Sequence, residues 1–410
     1  MRRLAVIVAL NLVAVAAYAF VAAQTGFFSH MSDTLFSSPD SHSYREVADW
    51  LFRAIPGSFE SLHRPFLYPL LLGSAARIGG APGIWTLNFL LWLGTVNVTA
   101  AATWRLTGRP LFGAIVFLLL ALNVSLIVLS FQALTELTVA CLESIWILGL
   151  ALSSLPPSRP RDIAMLLLPI SLLTVVKPAY QIEFLVGLVL LAIIIWRLPR
   201  GRAVAAAALG ACCIPIAFQL GLNATANHFL GLSSAGENAF KDYYVSQVYA
   251  SINGLPSDLV TARIVVNPWS NSQLVSYLVD HPGPAVRTLI SNLHSNLVSS
   301  SNFIDPVKTP LLARAVRDTN RAFLILHLIF LPVVAFAIWR RRDVRLVLLY
   351  VFAVVLILVP SLIFDQGDRY IEMALPLWAA AYALAVADLL PVISQSLARR
   401  RRQSLQSLPL

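Results

Sequence analysis

Charge is scarce in this sequence: Asp, Glu, Lys and Arg make up 12% of 410 residues, against 58% that are hydrophobic. Soluble domains carry about 25% charged residues. A soluble fold is therefore excluded and a polytopic membrane protein expected. Cysteine is scarcer. Cys141, Cys212 and Cys213 all fall inside apolar stretches, which excludes a disulfide framework and a cysteine-based metal site. No internal repeat is visible, so the repeated halves of many ion-coupled carriers are missing. The net charge of +10 would elsewhere suggest nucleic acid. Here the basic residues sit at the ends of apolar stretches, where membrane orientation and anionic lipid account for them. No nucleic-acid partner is expected.

What is present is a series of ten apolar stretches, near 4–24, 84–104, 110–131, 135–153, 162–176, 181–197, 203–222, 321–339, 344–363 and 371–391. The fold class this predicts is an all-α membrane protein of about ten transmembrane helices. With Arg2 and Arg3 in the cytoplasm, 17 of the 30 Lys and Arg residues fall on that side in short loops and the tail Arg399–Arg402, as the positive-inside rule requires. The short loops opposite hold Arg45, Arg53, Arg64, Arg77, Lys177 and Arg369. This pattern requires 66–78 to lie at the outer surface rather than to span, and its 13 residues are too few for a crossing. The chain then divides into a transmembrane module 1–222 with a first outer loop 25–83, an outer region 223–320, and C-terminal helices with a basic tail, 321–410. The first span lacks a small-residue cleavage site and reads as a retained anchor.

Most chemistry-bearing residues lie on the outer side. DSHSYREVADWLFRA places Tyr44, Val47, Ala48 and Leu51 on one apolar helical face. Ser43 and Glu46 match a capping box, with Pro39-Asp40 as the start signal. Asp40 is then either a helix cap or a carboxylate held at the water–lipid boundary. Asp33 is a second acid without a clear helix. His63-Arg64-Pro65 follows. Arg64 suits a phosphate by bidentate pairing, or it is a snorkelling anchor. Glu136 starts a span, where a carboxylate suits the helix dipole, and Glu143 lies seven residues deeper on the same face and needs a partner. Lys177 precedes Pro178 at a helix end, as anchor or phosphate ligand. The outer region predicts short helices broken at His281-Pro282-Gly283-Pro284, and the sequon Asn223-Ala224-Thr225 opens it. Asp365, Asp368, Arg369 and Tyr370 crowd the last outer loop, where the acids are placed to orient Arg369.

Taken in order, SPDSHSY, HRPFLYPLLLG, ALTE, TVVKPAY, HPGPAVRTLI and GDRYIEMALPLWAAAYA resemble the GT-C superfamily of membrane glycosyltransferases. The nearest look is to protein O-mannosyltransferases and lipid A aminoarabinose transferases. The resemblance covers most of the chain outside 223–270. It implies an inverting transfer of a sugar from a polyprenyl-phosphate carrier to an acceptor. The implied setting is the periplasmic face of a bacterial inner membrane. Asp40 and Glu136 would then be catalytic. His63, Arg64, Lys177, Asp368, Arg369 and Tyr370 would bind the lipid phosphate or substrate. Protein mannosyltransferases carry an adjacent acidic pair in the first loop, whereas Asp40 here is followed by Ser41, which separates this chain from that branch. Metal dependence varies across the superfamily. Asp40, His42, His63 and Glu136 offer ligating groups, but their spacing matches no metal motif, and no metal site is assigned. The rival readings are a transporter or lipid flippase, and a non-catalytic subunit on the same fold.

Overall fold

In the computed structural model, the structure describes residues 2–53, 63–157, 159–197, 201–255, 259–298, 310–362 and 369–406. Among these residues every regular element is helical. Helix α1 spans Arg2–Gln24, α2 Met31–Leu35, α3 Pro39–Arg53 and α4 Leu67–Thr107. Next come α5 (Pro110–Ala121), α6 (Val124–Leu129), α7 (Glu136–Leu152), α8 (Pro160–Thr174) and α9 (Gln181–Trp196). Helices α10 (Arg202–Cys212) and α11 (Ile214–Ala226) meet at a 42° bend.

A small outlying group follows: α12 (Ala235–Ala239), α13 (Ser246–Asn253), α14 (Val260–Val266), α15 (Asn271–Asp280) and α16 (Pro282–Val298). The chain ends with α17 (Pro310–Arg341), α18 (Val344–Ser361) and α19 (Arg369–Gln406).

Among the described residues, five helices are long and apolar enough to cross a membrane: Leu4–Gln24, Leu67–Thr107, Pro178–Trp196, Val344–Ser361 and Ile371–Pro391; the bent α10–α11 pair makes up to six. The expected ten are not all of this kind. The stretch 110–131 is interrupted at Leu122 and Asn123, whose side chain caps α6 by accepting from the Leu126 amide. Stretches 135–153 and 162–176 form helices of 17 and 15 residues. Burial ranks the spans. Residues of Leu4–Gln24 are only 17% buried, so α1 is peripheral, whereas 78% of Ile371–Pro391 is buried. Alanines at 374, 379, 380, 381, 383 and 385 give α19 the small surface that close helix approach requires. It packs against α4, α7, α17 and α18.

Segment 66–78 forms the first arm of α4, not a separate span. The helix breaks at Gly79 and Gly80, and Gly80 has φ +57°, a conformation costly for any residue with a Cβ. Beyond the break the chain doubles back so tightly that a Cβ at Gly83 would lie 2.2 Å from the Ala75 carbonyl oxygen. Helix α3 starts four residues before the expected capping box. Pro39 suits a first helical turn, which leaves Ser43 inside the helix, its hydroxyl bonded to the Pro39 carbonyl. In the outlying group the break at His281-Pro282 falls as the sequence predicts. That group has its own core of Tyr244, Val245, Val248, Val266, Leu274 and Ala285. Asn292 and Asn296 of α16 tie it to Ser361, the last residue of α18.

Candidate functional site

Charged side chains from five separate segments meet at one end of the bundle. Asp40 lies in the first turn of α3, Arg64 in the turn before α4, and Glu136 at the first residue of α7. Lys177 sits in the turn between α8 and α9, and Arg369 at the first residue of α19. They form a ladder of alternating sign. An Arg64 Nη2 lies 2.6 Å from Asp40 Oδ1, and Arg369 Nη2 lies 2.7 Å from Asp40 Oδ2. Arg369 Nε then donates to Glu136 Oε1 at 2.6 Å, and Lys177 Nζ stands 3.4 Å from the same oxygen.

Local chemistry explains the two acids, which occupy first helical turns where the dipole favours negative charge. Arg369 is held by two carboxylate partners, one on each of two of its nitrogens. The ladder has a buried middle and half-open ends. The Glu136 and Arg369 side chains are 1% and 3% exposed, whereas Arg64, Asp40 and Lys177 are 22%, 21% and 19% exposed. These contacts join three cations to two carboxylates.

Burial pushes the Asp40 carboxyl up, but the Arg369 and Arg64 guanidinium groups outweigh it and hold it below the usual carboxylate range. Burial also pulls the Lys177 ammonium below its ordinary value, with Glu136 acting in the opposite sense.

Neighbours outside the set of candidate site residues complete the site. Tyr44, assigned to the apolar face of α3, accepts from Arg64 Nη1 at 3.5 Å, and its ring lies 4.8 Å below that guanidinium carbon. Its hydroxyl reaches Thr135 Oγ1 at 3.4 Å, and Thr135 in turn lies 3.5 Å from Glu136 Oε2. Met373, one helical turn after Arg369, accepts from Lys177 Nζ at 3.0 Å. The i, i+4 spacing from Arg369 was the one available signal for it. Deeper, the Tyr180 hydroxyl donates to Glu143. Because Tyr180 ends the short turn that begins after Lys177, this bond fixes the backbone that carries the lysine. Glu143 thus has the partner its depth demands.

His63 stands apart from the ladder. Its Nε2 lies 2.8 Å from Asn238 Nδ2, and its carbonyl accepts from Ser233, so it latches the HRPF turn to the segment around α12. Gln219 of α11 secures the same turn through the Phe66 amide. Asn223 of the sequon is fully buried and donates to the Gly231 and Leu232 carbonyls, which removes it as a glycosylation site. Asp33 is exposed in the first turn of α2. Asp365 and Asp368 lie outside the described residues, as does the side chain of Tyr370; Arg369 is oriented by Asp40 and Glu136. Among the described residues, no three His, Cys, Asp or Glu side chains are grouped to hold a metal ion. Asp40 and Glu136 are bridged by Arg369 rather than facing each other. No protein-family profile, curated protein or solved structure matches the sequence.

Proposed function

We propose that this chain is an integral membrane glycosyltransferase of GT-C type with about ten crossings. It takes a sugar from a polyprenyl-phosphate donor and transfers it, with inversion, to an acceptor at the outer face. The observation that carries this reading is the ladder. The acid after the first span, the arginine of HRPF, the glutamate of ALTE, the lysine of VVKPA and the arginine of DRY converge on one cluster.

Three cations gathered at one point suit the phosphate of a lipid carrier. The cluster's place at the ends of apolar helices suits a group that resides at the membrane boundary. The opposite end of α7 supports this orientation: there Arg345 donates to the Ser153 carbonyl, in the arginine-rich loops assigned to the cytoplasm. The periplasmic face of a bacterial inner membrane fits this placement.

In the transfer, the bond between the anomeric carbon and the phosphate oxygen breaks as the acceptor oxygen attacks from the opposite side. The negative charge that grows on the departing phosphate is stabilised by Arg64, Lys177 and Arg369. Asp40 receives the acceptor's hydroxyl proton or orients that hydroxyl. With a guanidinium on each oxygen, Asp40 is a poor base. A phosphate that draws Arg64 and Arg369 to itself leaves the Asp40 carboxylate more basic, so donor binding primes the base. Glu136, buried behind the cations, holds Arg369 and Lys177 in place rather than touching substrate.

The test is transfer from radiolabelled polyprenyl-phosphate sugars by purified protein. Asp40→Asn should lower transfer about 10²–10⁴-fold while the protein still inserts and folds. A transporter or a non-catalytic subunit predicts no transfer by the wild type and tolerance of Asp40→Asn.

A further inference from the structure

The short loops assigned to the outer side hold few cations, and the positive-inside rule gives no orientational reason for those present. Three of them, Arg64, Lys177 and Arg369, are absorbed by the ladder. The two others whose side chains are described, Arg45 and Arg77, do not scatter over the surface. Both line a single cavity of about 390 Å³ between α2, α3 and the first arm of α4.

This cavity is separate from the ladder because α3 stands between them. Asp40 and Tyr44 lie on one side of that helix, while Arg45, Asp49 and Phe52 follow i, i+4, i+7 spacing on the other. Each guanidinium rests on an aromatic ring. Arg45 lies 5.0 Å from the Phe36 ring centre and Arg77 lies 4.6 Å from that of Phe52. Arg77 is further fixed by donating to the Phe52 carbonyl at 2.8 Å. A stacked guanidinium keeps its N–H groups in its own plane, at the edge, which is the geometry that pairs with phosphate oxygens. The opposite wall is apolar, formed by Leu72 and Ile84. Ile78, next to Arg77, is 87% exposed, as a residue in contact with lipid would be.

We propose that this cavity binds the phosphate headgroup of a second amphiphile, with Arg45 and Arg77 on the phosphate and the first acyl carbons against Leu72 and Ile84. Among the described lining residues, two guanidinium groups stand against one carboxylate, Asp49. The net positive charge selects a headgroup with net negative charge over a zwitterionic one. The proposal rests on the membrane reading of the chain, not on its being a transferase.

Purified full-length protein is exchanged into micelles containing phosphatidylglycerol or phosphatidylcholine, and retained lipid is counted by native mass spectrometry. Wild type should retain phosphatidylglycerol preferentially. Arg45→Gln should reduce that retention about ten- to hundredfold, as for loss of a hydrogen bond to a charged group. Ala76→Trp, which fills the cavity and keeps both arginines in the sequence, should reduce it as much. Both positions are exposed and lie outside the ladder, so thermal unfolding in detergent should match wild type and exclude misfolding as the cause. Equal retention of the two lipids, or retention unchanged by both substitutions, overturns the proposal. Displacement of the lipid by an equal concentration of glycerol 3-phosphate overturns the amphiphile part of it, since a soluble phosphate would then suffice. Donor transfer that fails while phosphatidylglycerol retention stands would remove the transferase reading and leave this site intact.

Discussion

Arg369 joins both carboxylates of the ladder. Breaking one side of a buried ion pair leaves an uncompensated charge and costs about 3–5 kcal/mol. Arg369→Ala strands Glu136, which is 1% exposed, and part of Asp40, so thermal unfolding in detergent should shift by an amount of that order. Affinity for a phosphate-bearing donor analogue should also fall. A variant that unfolds like wild type would show that the ladder is not a buried network. Lys177 gives a second test through pH. Its ammonium titrates below its ordinary value because of burial, so donor affinity should fall on the alkaline side before pH ~10.4, where a free lysine titrates. Lys177→Arg should abolish that fall, and an unchanged alkaline limb in the arginine variant would assign it elsewhere. Stability moves in the opposite sense, because the unfolded chain then binds the proton more tightly and folding is favoured as pH rises through the window. Asp40 behaves differently. Its lowered carboxyl contributes stability above the ordinary carboxylate range and loses it only as the pH falls through the lowered value. The identities of the ladder residues were legible because each is a rare charge in an apolar chain. Their pairing was not, since Asp40 and Arg369 are 329 positions apart and nothing local joins them.

Helices α7 and α8 show how single glycines set the spacing of the site's supports. A Cβ at Gly149 would lie 2.4 Å from the Met165 carbonyl oxygen, a backbone atom that cannot swing away. Gly149→Ala should therefore push α8 from α7 and lower stability by about 1–3 kcal/mol, as other overpacking does. Gly210→Ala, where nothing lies within 4 Å, is the control. Equal unfolding temperatures for the two variants would contradict the close approach. The same displacement should loosen the Lys177 turn, because α8 leads directly into it. At this scale the sequence announced helices well and their ends poorly. The period of α3 was readable, but two start signals competed and the proline prevailed. The interruption at Leu122–Asn123 was hidden inside a continuous apolar run, because Asn123 is a single polar residue whose capping role appears only once the Leu126 amide is placed.

Across the whole molecule, arginine asymmetry and geometry point the same way. Helix α7 carries Glu136 of the ladder at one end and Ser153, bonded to Arg345, at the other. After replacement of Cys141, Cys212 and Cys213, single cysteines at Thr107 and Pro157 should be labelled by impermeant thiol reagents only from the cytoplasmic side. Labelling from the outside would invert the topology and remove the outer-face assignment.

Composition alone determined that this chain belongs in a membrane, because an apolar fraction this large leaves too few polar residues to cover a soluble surface. The apolar stretches determined the helical class, since it depends on chemistry summed over short segments, and the flanking arginines are the basis of the proposed orientation. Tertiary structure decided which apolar helix is central and which peripheral, because burial depends on neighbours: α1 is more apolar than α19 yet far less buried. It decided that His63 is a latch while Tyr44, Thr135 and Met373 border the ladder. It also decided that the outer cations divide between a ladder and a separate cavity. Charge pairing across the bundle is fixed by distance in space, and separation along the chain carries no information about it.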